Sequence, residues 1–192
     1  MATKTGKTTT KAAEAPETGQ PDPEMVAKLG ALRTRILSAF GQCALVMMSV
    51  PRYRHLSIAD LNHLLLEPLV QDRVAIASSK AGDGAEGGAL AGIAIWASVS
   101  DEVDKSIREQ IAANVFPVRI KTKDWNSGKT VWLLDVIAPS RKLTTSVLAN
   151  FRQVVKDGPV HIHPMVGRMM DQDALKKMGA TRENAASQPA GA

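Results

Sequence analysis

Residues 124–139 read Asp-Trp-Asn-Ser-Gly-Lys-Thr-Val-Trp-Leu-Leu-Asp-Val-Ile-Ala-Pro, and their reading decides the fold. Asp124 to Gly128 is turn chemistry, because short polar side chains bond their own backbone and glycine tolerates positive φ. Thr130 to Ala138 then runs almost unbroken in β-branched, aromatic and aliphatic residues until Pro139, the pattern of a strand covered on both faces. One acid, Asp135, stands inside that run. Flanked by Leu134, Val136 and Ile137, it cannot sit unpaired in a buried strand without costing several kcal/mol, roughly. Residue chemistry leaves several answers open. Asp135 caps a neighbouring loop, pairs with an arginine such as Arg141, points from the strand end into solvent, or stands at the mouth of a cleft where it orients an imidazole or accepts a proton.

Upstream, Val26, Leu29, Leu32, Ile36, Phe40, Cys43 and Met47 recur at steps of three or four, which predicts a helix from about Pro23 with those residues inward and Pro51 as its end. Its last turns, Ala44 to Met48, are apolar nearly all round; the methionine pair fits either a core or a slot for an apolar chain. That apolar run is too short, and too charged upstream at Arg33 and Arg35, to span a bilayer. A linker from Val50 to Leu56 follows, carrying Arg52, Tyr53, Arg54 and His55, and a loop of that composition between two helices is where a site would be built. Ser57 and Asp60 resemble a capping box opening a second helix, with Ile58, Leu61, Leu64, Leu65 and Val70 inward. His63 in that helix has Asp60 and Glu67 as its acidic neighbours, and a surface ion pair is its plainest reading.

Arg73–Ser79 and Ala89–Val99 read as a strand pair joined by the glycine-rich loop Ala81–Gly88, and Gly92 marks a bulge or a close backbone approach. Ser100–Asn114 is predicted as a helix with Ser100 as N-cap, acids in its first turn, and Val103, Ile107 and Ile111 inward. Val115–Lys123 alternates basic and apolar residues, a candidate docking edge for an acidic partner. Beyond Pro139, Arg141 and Lys142 open a helix that turns Leu143, Val147, Leu148, Phe151 and Val155 inward. Val160–His163 alternates as a strand does; His161 and His163 share a face, but with no cysteine nearby no metal site is assigned.

The chain has 192 residues, 44% of them apolar, enough for one domain, which we place at residues 24–164 between a disordered tail over 1–23 and a mostly disordered one over 165–192. A net charge of +5 favours acidic partners without choosing among them. The single cysteine, Cys43, excludes an intramolecular disulfide and fits a reducing compartment.

The phrase Asp124-Trp125-x-Ser127-Gly128, then Trp132, then Asp135-x-Ile137-Ala138-Pro139, resembles the signature of the RTX toxin-activating lysine acyltransferases, the family of the haemolysin activator. Ser49-x-Pro51 and Gly92-x-x-x-Trp96-Ala97 belong to the same resemblance, which covers about Leu29 to Val155. It implies a GNAT-like acyltransferase fold, cytoplasmic location, and transfer of a fatty acyl group from acyl-carrier protein to an internal lysine of an RTX-type protoxin. Strand and helix alternation gives the class independently: α/β (α+β), a mixed sheet flanked by helices. The family's Ser-x-x-His-Arg pattern falls here on Val50 and Tyr53, with His55 two residues on, while Asp135 matches the family's aspartate. Either His55 works with Asp135 as the catalytic pair after a local shift, or Tyr53 at the histidine position marks a member that binds without catalysing. Arg141 and Lys142 receive the carrier's phosphopantetheine or its acidic helix, or simply neutralise Asp135. No tightly bound cofactor, nucleic acid or integral membrane segment is expected, and a homodimer is left open.

Overall fold

Strand β3 (Thr130–Ile137) is the predicted central strand to within one residue, and the remaining elements pack around it. The structure, a computed structural model, describes residues 22–78, 90–156 and 158–170. β1 (Val74–Ser78) and β2 (Leu90–Val99) are the predicted strand pair; the glycine-rich loop between them lies outside the described residues, as do most of both tails. With β4 (Val160–Ile162) they form one four-stranded sheet in the order β1-β2-β3-β4, antiparallel except for the parallel β3–β4 pair.

Alternation along β3 sorts the core into two clusters. Leu133 and Val136 join Val147, Leu148 and Phe151 of α4 (Arg141–Val154) and Val166 of α5 (Pro164–Met169). Trp132, Leu134 and Ile137 join Cys43 and Met47 of α1 (Pro23–Ser49) and Ile107 of α3 (Asp101–Ala112). The result is the mixed sheet flanked by helices that the pattern predicts. α5 carries packed chain past residue 164, because Val166 is fully buried.

The sheet has an irregularity between β2 and β3. Ile95 pairs with Asp135 but the next residue, Trp96, pairs with Leu133, so Leu134 is one residue too many for β2 to oppose. Such a bulge bends the strand and re-aims a side chain. Leu134 and Asp135, successive residues that a regular strand would send to opposite faces, accordingly line the same cavity.

Two expectations are corrected. In α1 only Cys43, Val46 and Met47 are buried, while Val26 is 51% and Leu29 60% exposed. At about 1.5 Å per residue the helix is about 40 Å long, and its packing on the core falls under the last turns, so the apolar stripe from Val26 to Leu32 keeps its period without gaining cover while Ile36 and Phe40 are half-buried. The predicted second helix is broken up. Ser57 and Asp60 do form the reciprocal box, with Ser57 N–H to Asp60 Oδ2 at 2.9 Å and Asp60 N–H to Ser57 Oγ at 3.3 Å. A π-turn over Asn62–Leu66 then leads into a short α2 (Glu67–Val70) that contains Pro68, a residue with no N–H for a regular ladder. Leu64 and Leu65 are buried, but Ile58 is 88% exposed and Val70 is exposed, so those two are not inner positions. Val115–Lys123 forms no β-strand and keeps Arg119, Lys121 and Lys123 exposed. Gln110 brackets Arg119 through its side-chain amide, accepting from Arg119 N–H at 2.8 Å and donating to Arg119 C=O at 3.0 Å, Ile120 is buried, and the segment closes in a 3-10 turn.

Cys43 sits in the second cluster with no exposed surface, and burial pushes its thiol up to about 12. Since the thiolate is the reacting form, Cys43 in the native chain is expected to react with a disulfide reagent only as fast as the fold opens. The reaction should follow urea unfolding; rapid labelling without urea would show that the last turns of α1 do not pack as described.

Candidate active site

Pro51 ends α1, and the chain turns once through a 3-10 segment, Pro51–Tyr53, with Tyr53 N–H bonded to Val50 C=O at 3.1 Å. That turn lays two side chains on the bulge of β3. The buried Tyr53 hydroxyl donates to Asp135 Oδ2, and Arg52 Nη2 donates to Asp135 Oδ1 at 2.5 Å and to Val136 C=O at 2.7 Å. Arg52 also reaches Met169 Sδ through Nη1 at 3.0 Å, and its guanidinium carbon lies 4.7 Å from the centre of the Tyr53 ring. Both carboxylate oxygens therefore have partners. The arginine that pairs with Asp135 is Arg52, not Arg141; Arg141 and Lys142 are exposed in the first turn of α4. His55 is exposed beyond the turn, and the partners of Asp135 are Arg52 and Tyr53 instead.

Burial dominates the electrostatics. It raises the Asp135 carboxyl above its usual range, against the opposing pull of Arg52 first and Tyr53 next. The Tyr53 phenol is pushed well above its usual value, by burial and then by the negative charge of Asp135, so it is a donor throughout the physiological range.

Two spaces adjoin this cluster. On the α1 side Tyr53 forms part of a groove of about 370 Å³ with Met47, Met48, Leu56, Ile58 and Leu61, and Arg54 at its border. On the other side Asp135 lines a small cavity of about 20 Å³ with Ile95, Leu134, His63 and Trp125. His63 Nε2 and Trp125 Nε1 are both buried and have no hydrogen-bond partner within the protein. Burial, then Arg119, lowers the His63 pKa, against the weaker effects of Asp60 and Glu67. Its plain reading as a surface ion pair is corrected: the ring is half-buried against the Asp135 cavity. Sequence reasoning flagged the linker that supplies Arg52 but missed the pairing, and it missed the indole nitrogen of Trp125 altogether. Pro68, which accompanies the π-turn that carries His63, was the one available signal.

The two C-terminal histidines part company. His161 stacks on Trp132 with ring centres 5.1 Å apart, whereas His163 caps α5 by accepting Met165 N–H at Nδ1 (3.2 Å). Among the described residues no three potential ligands are grouped to hold a metal ion. Burial, then Arg52 and Arg168, depress His163 to about 4 from 6.5. A base depressed in the fold binds fewer protons there than in the unfolded chain, so stability is lost as pH falls from 6.5 towards 4. At about 1.4 kcal/mol per unit this residue alone removes about 3 kcal/mol between pH 7 and pH 4. His63 and His161, also depressed, act in the same direction, and Asp135, raised, acts in the opposite one. His163→Asn keeps an N-cap acceptor and is expected to flatten the urea-unfolding profile over that window; an unchanged slope would show that His163 is not held neutral.

An α/β domain in which Tyr53, the partner of Asp135, also lines an apolar groove has the parts an acyl-transferring protein needs, a place for an apolar chain beside polar groups at a strand. A sequence model of the RTX toxin acyltransferase family matches residues 32–173, and the chain belongs to that family. None of the curated proteins compared with it matches. Among the described residues no helix is long and apolar enough to cross a membrane.

Proposed function

We propose that this chain is a GNAT-like protein-lysine acyltransferase of the cytoplasm that moves a fatty acyl group from acyl-carrier protein to an internal lysine of an RTX-type protoxin. Family membership supports the reaction class and the toxin substrate. The observation that carries the rest is the groove of about 370 Å³ that runs from Met47 and Met48 to the ring of Tyr53. Its volume and apolar walls are those of a small-molecule site, and it delivers the head of a bound chain to the residue that touches Asp135. Arg54 beside the groove, and Arg141 and Lys142 on α4, offer positive charge to the carrier's phosphate and acidic surface.

The test is incubation with acyl-carrier thioesters of several chain lengths and an RTX-type protoxin, followed by mass spectrometry of the toxin. Acyl-lysine is the expected product, and its absence at every chain length would remove the reading. One observation favours a second reading, a member that binds toxin or carrier without catalysing: Tyr53 stands where the resemblance expects an imidazole, and with Arg52 it occupies both oxygens of Asp135. That version is favoured if toxin or carrier binds stoichiometrically and its mass never changes.

A further inference from the structure

An acyl transfer to lysine needs a base for the amine and donors for the thioester oxygen, and the Tyr53 side of Asp135 supplies no base. The opposite side has the right groups. His63 and Trp125 line the cavity shared with Asp135, and each has a buried ring nitrogen without a partner in the protein. Buried polar atoms are nearly always partnered. Two such nitrogens meet on one cavity beside a buried carboxylate, an arrangement that polar atoms from outside the chain would complete. His63 comes from the π-turn Asn62–Leu66, a kind of helix interruption that is frequent at functional sites. Trp125 comes from the turn before β3 and is 2% exposed, so its indole is fixed. The cavity of about 20 Å³ holds about one water-sized group, room for the thioester oxygen, with the acyl chain and the carrier's arm left outside it.

We propose that His63 is the general base of this chain and that Trp125 Nε1–H holds the thioester oxygen, an imidazole from the π-turn taking the part that Tyr53 cannot play. The inference rests on the acyl-transfer reading. The neutral lysine nitrogen attacks the thioester carbon, and the C–N bond forms as the C–S bond breaks. The amine proton passes to His63 Nε2 and from there to the departing sulfur, giving an amide and the free thiol of the carrier. Burial and Arg119 outweigh Asp60 and Glu67 at His63, which keeps the imidazole neutral and able to accept. Asp135, held by Arg52 and Tyr53, is a positioning residue that fixes the polarity of the cavity.

Two measurements on the full chain test this. In the first, hexanoyl-pantetheine is titrated into ¹⁵N-labelled protein. The indole signal of Trp125 and the ring nitrogens of His63 are expected to move together while the indoles of Trp96 and Trp132 stay put. Silence at both residues with the probe in excess overturns the proposal, whether or not the wild type acylates toxin, and identifies the cavity as a structural water site. In the second, transfer to an RTX-type protoxin is compared between wild type and His63→Ala, whose folding is checked by melting temperature. A loss of about 100-fold or more is expected, with partial recovery on adding free imidazole, a rescue that a structural role would not show. Wild-type transfer with an undiminished His63→Ala rate overturns the role of His63 while leaving the acyl-transfer reading intact. No transfer by the wild type, despite movement of both signals, overturns catalysis and that reading together.

Discussion

Arg52→Met is expected to lower the unfolding free energy by about 4 kcal/mol, and adding Asp135→Asn in the same chain to recover most of it. Removing one member of a buried ion pair leaves the other uncompensated, which costs about 3 to 5 kcal/mol, whereas removing both charges is close to neutral. The geometry puts Asp135 firmly in that regime: its side chain is 5% exposed, and Arg52, at 22%, holds it at 2.5 Å. Tyr53 cannot take over, because a neutral phenol donates one hydrogen bond and carries no charge. Urea unfolding of the two single variants and the double variant gives the coupling directly, and it should reach about 2 kcal/mol or more. The pH dependence has a definite sign. Burial raises the Asp135 carboxyl in the fold, and losing Arg52 raises it further, so the folded variant takes up a proton before the unfolded chain does. The deficit of Arg52→Met should therefore shrink as pH falls through that raised value. Purely additive single effects would show that the pair contributes no coupling and that Asp135 finds another partner.

What the sequence showed and what it hid follow from how far each interaction reaches. A strand buried on both faces writes itself as an unbroken apolar run, so β3 and the lone acid within it were legible. The partner of that acid was not, because Arg52 lies 83 residues away and meets Asp135 only after the bulge at Leu134 turns the strand. Nothing in the composition of Leu134 announces a bulge. The register of the resemblance did place Tyr53 at the histidine position, and Tyr53 does face Asp135. Helical period identified α1 but could not say where cover ends, since an apolar stripe has the same spacing whether or not a sheet lies beneath it. His63 was misjudged for a related reason. Neighbours at three and four residues were counted on a regular helix, and a π-turn moves the side chain off that register.

Gly92→Ala is expected to cost about 4 kcal/mol, while the same change at Gly30 should stabilise the chain by up to about 1 kcal/mol. Gly92 sits at φ +155°, and a Cβ there would lie 2.5 Å from Ile137 C=O and 2.8 Å from Val147 Cγ2. The first obstacle is backbone and the second is a fully buried side chain of α4, so neither can yield without separating β2 from β3 or lifting α4. Backbone strain and overpacking each add about 1 to 3 kcal/mol. Gly30 has nothing within 4 Å of its added Cβ and lies on the exposed part of α1, where alanine is simply the better helix former. The contrast tests the site as well as the fold. Gly92 pairs one residue before Ile93, which faces Ile137 two positions beyond Asp135, so the close approach at Gly92 anchors one end of the bulged stretch that aims the carboxylate. A Gly92→Ala chain that still folds should therefore lose transfer to toxin as well as stability, whereas Gly30→Ala should lose neither. Gly92→Ala unfolding at the wild-type urea concentration would mean that β2, β3 and α4 do not meet this closely. The aim of Asp135 would then have to be fixed by the Arg52 and Tyr53 clamp alone.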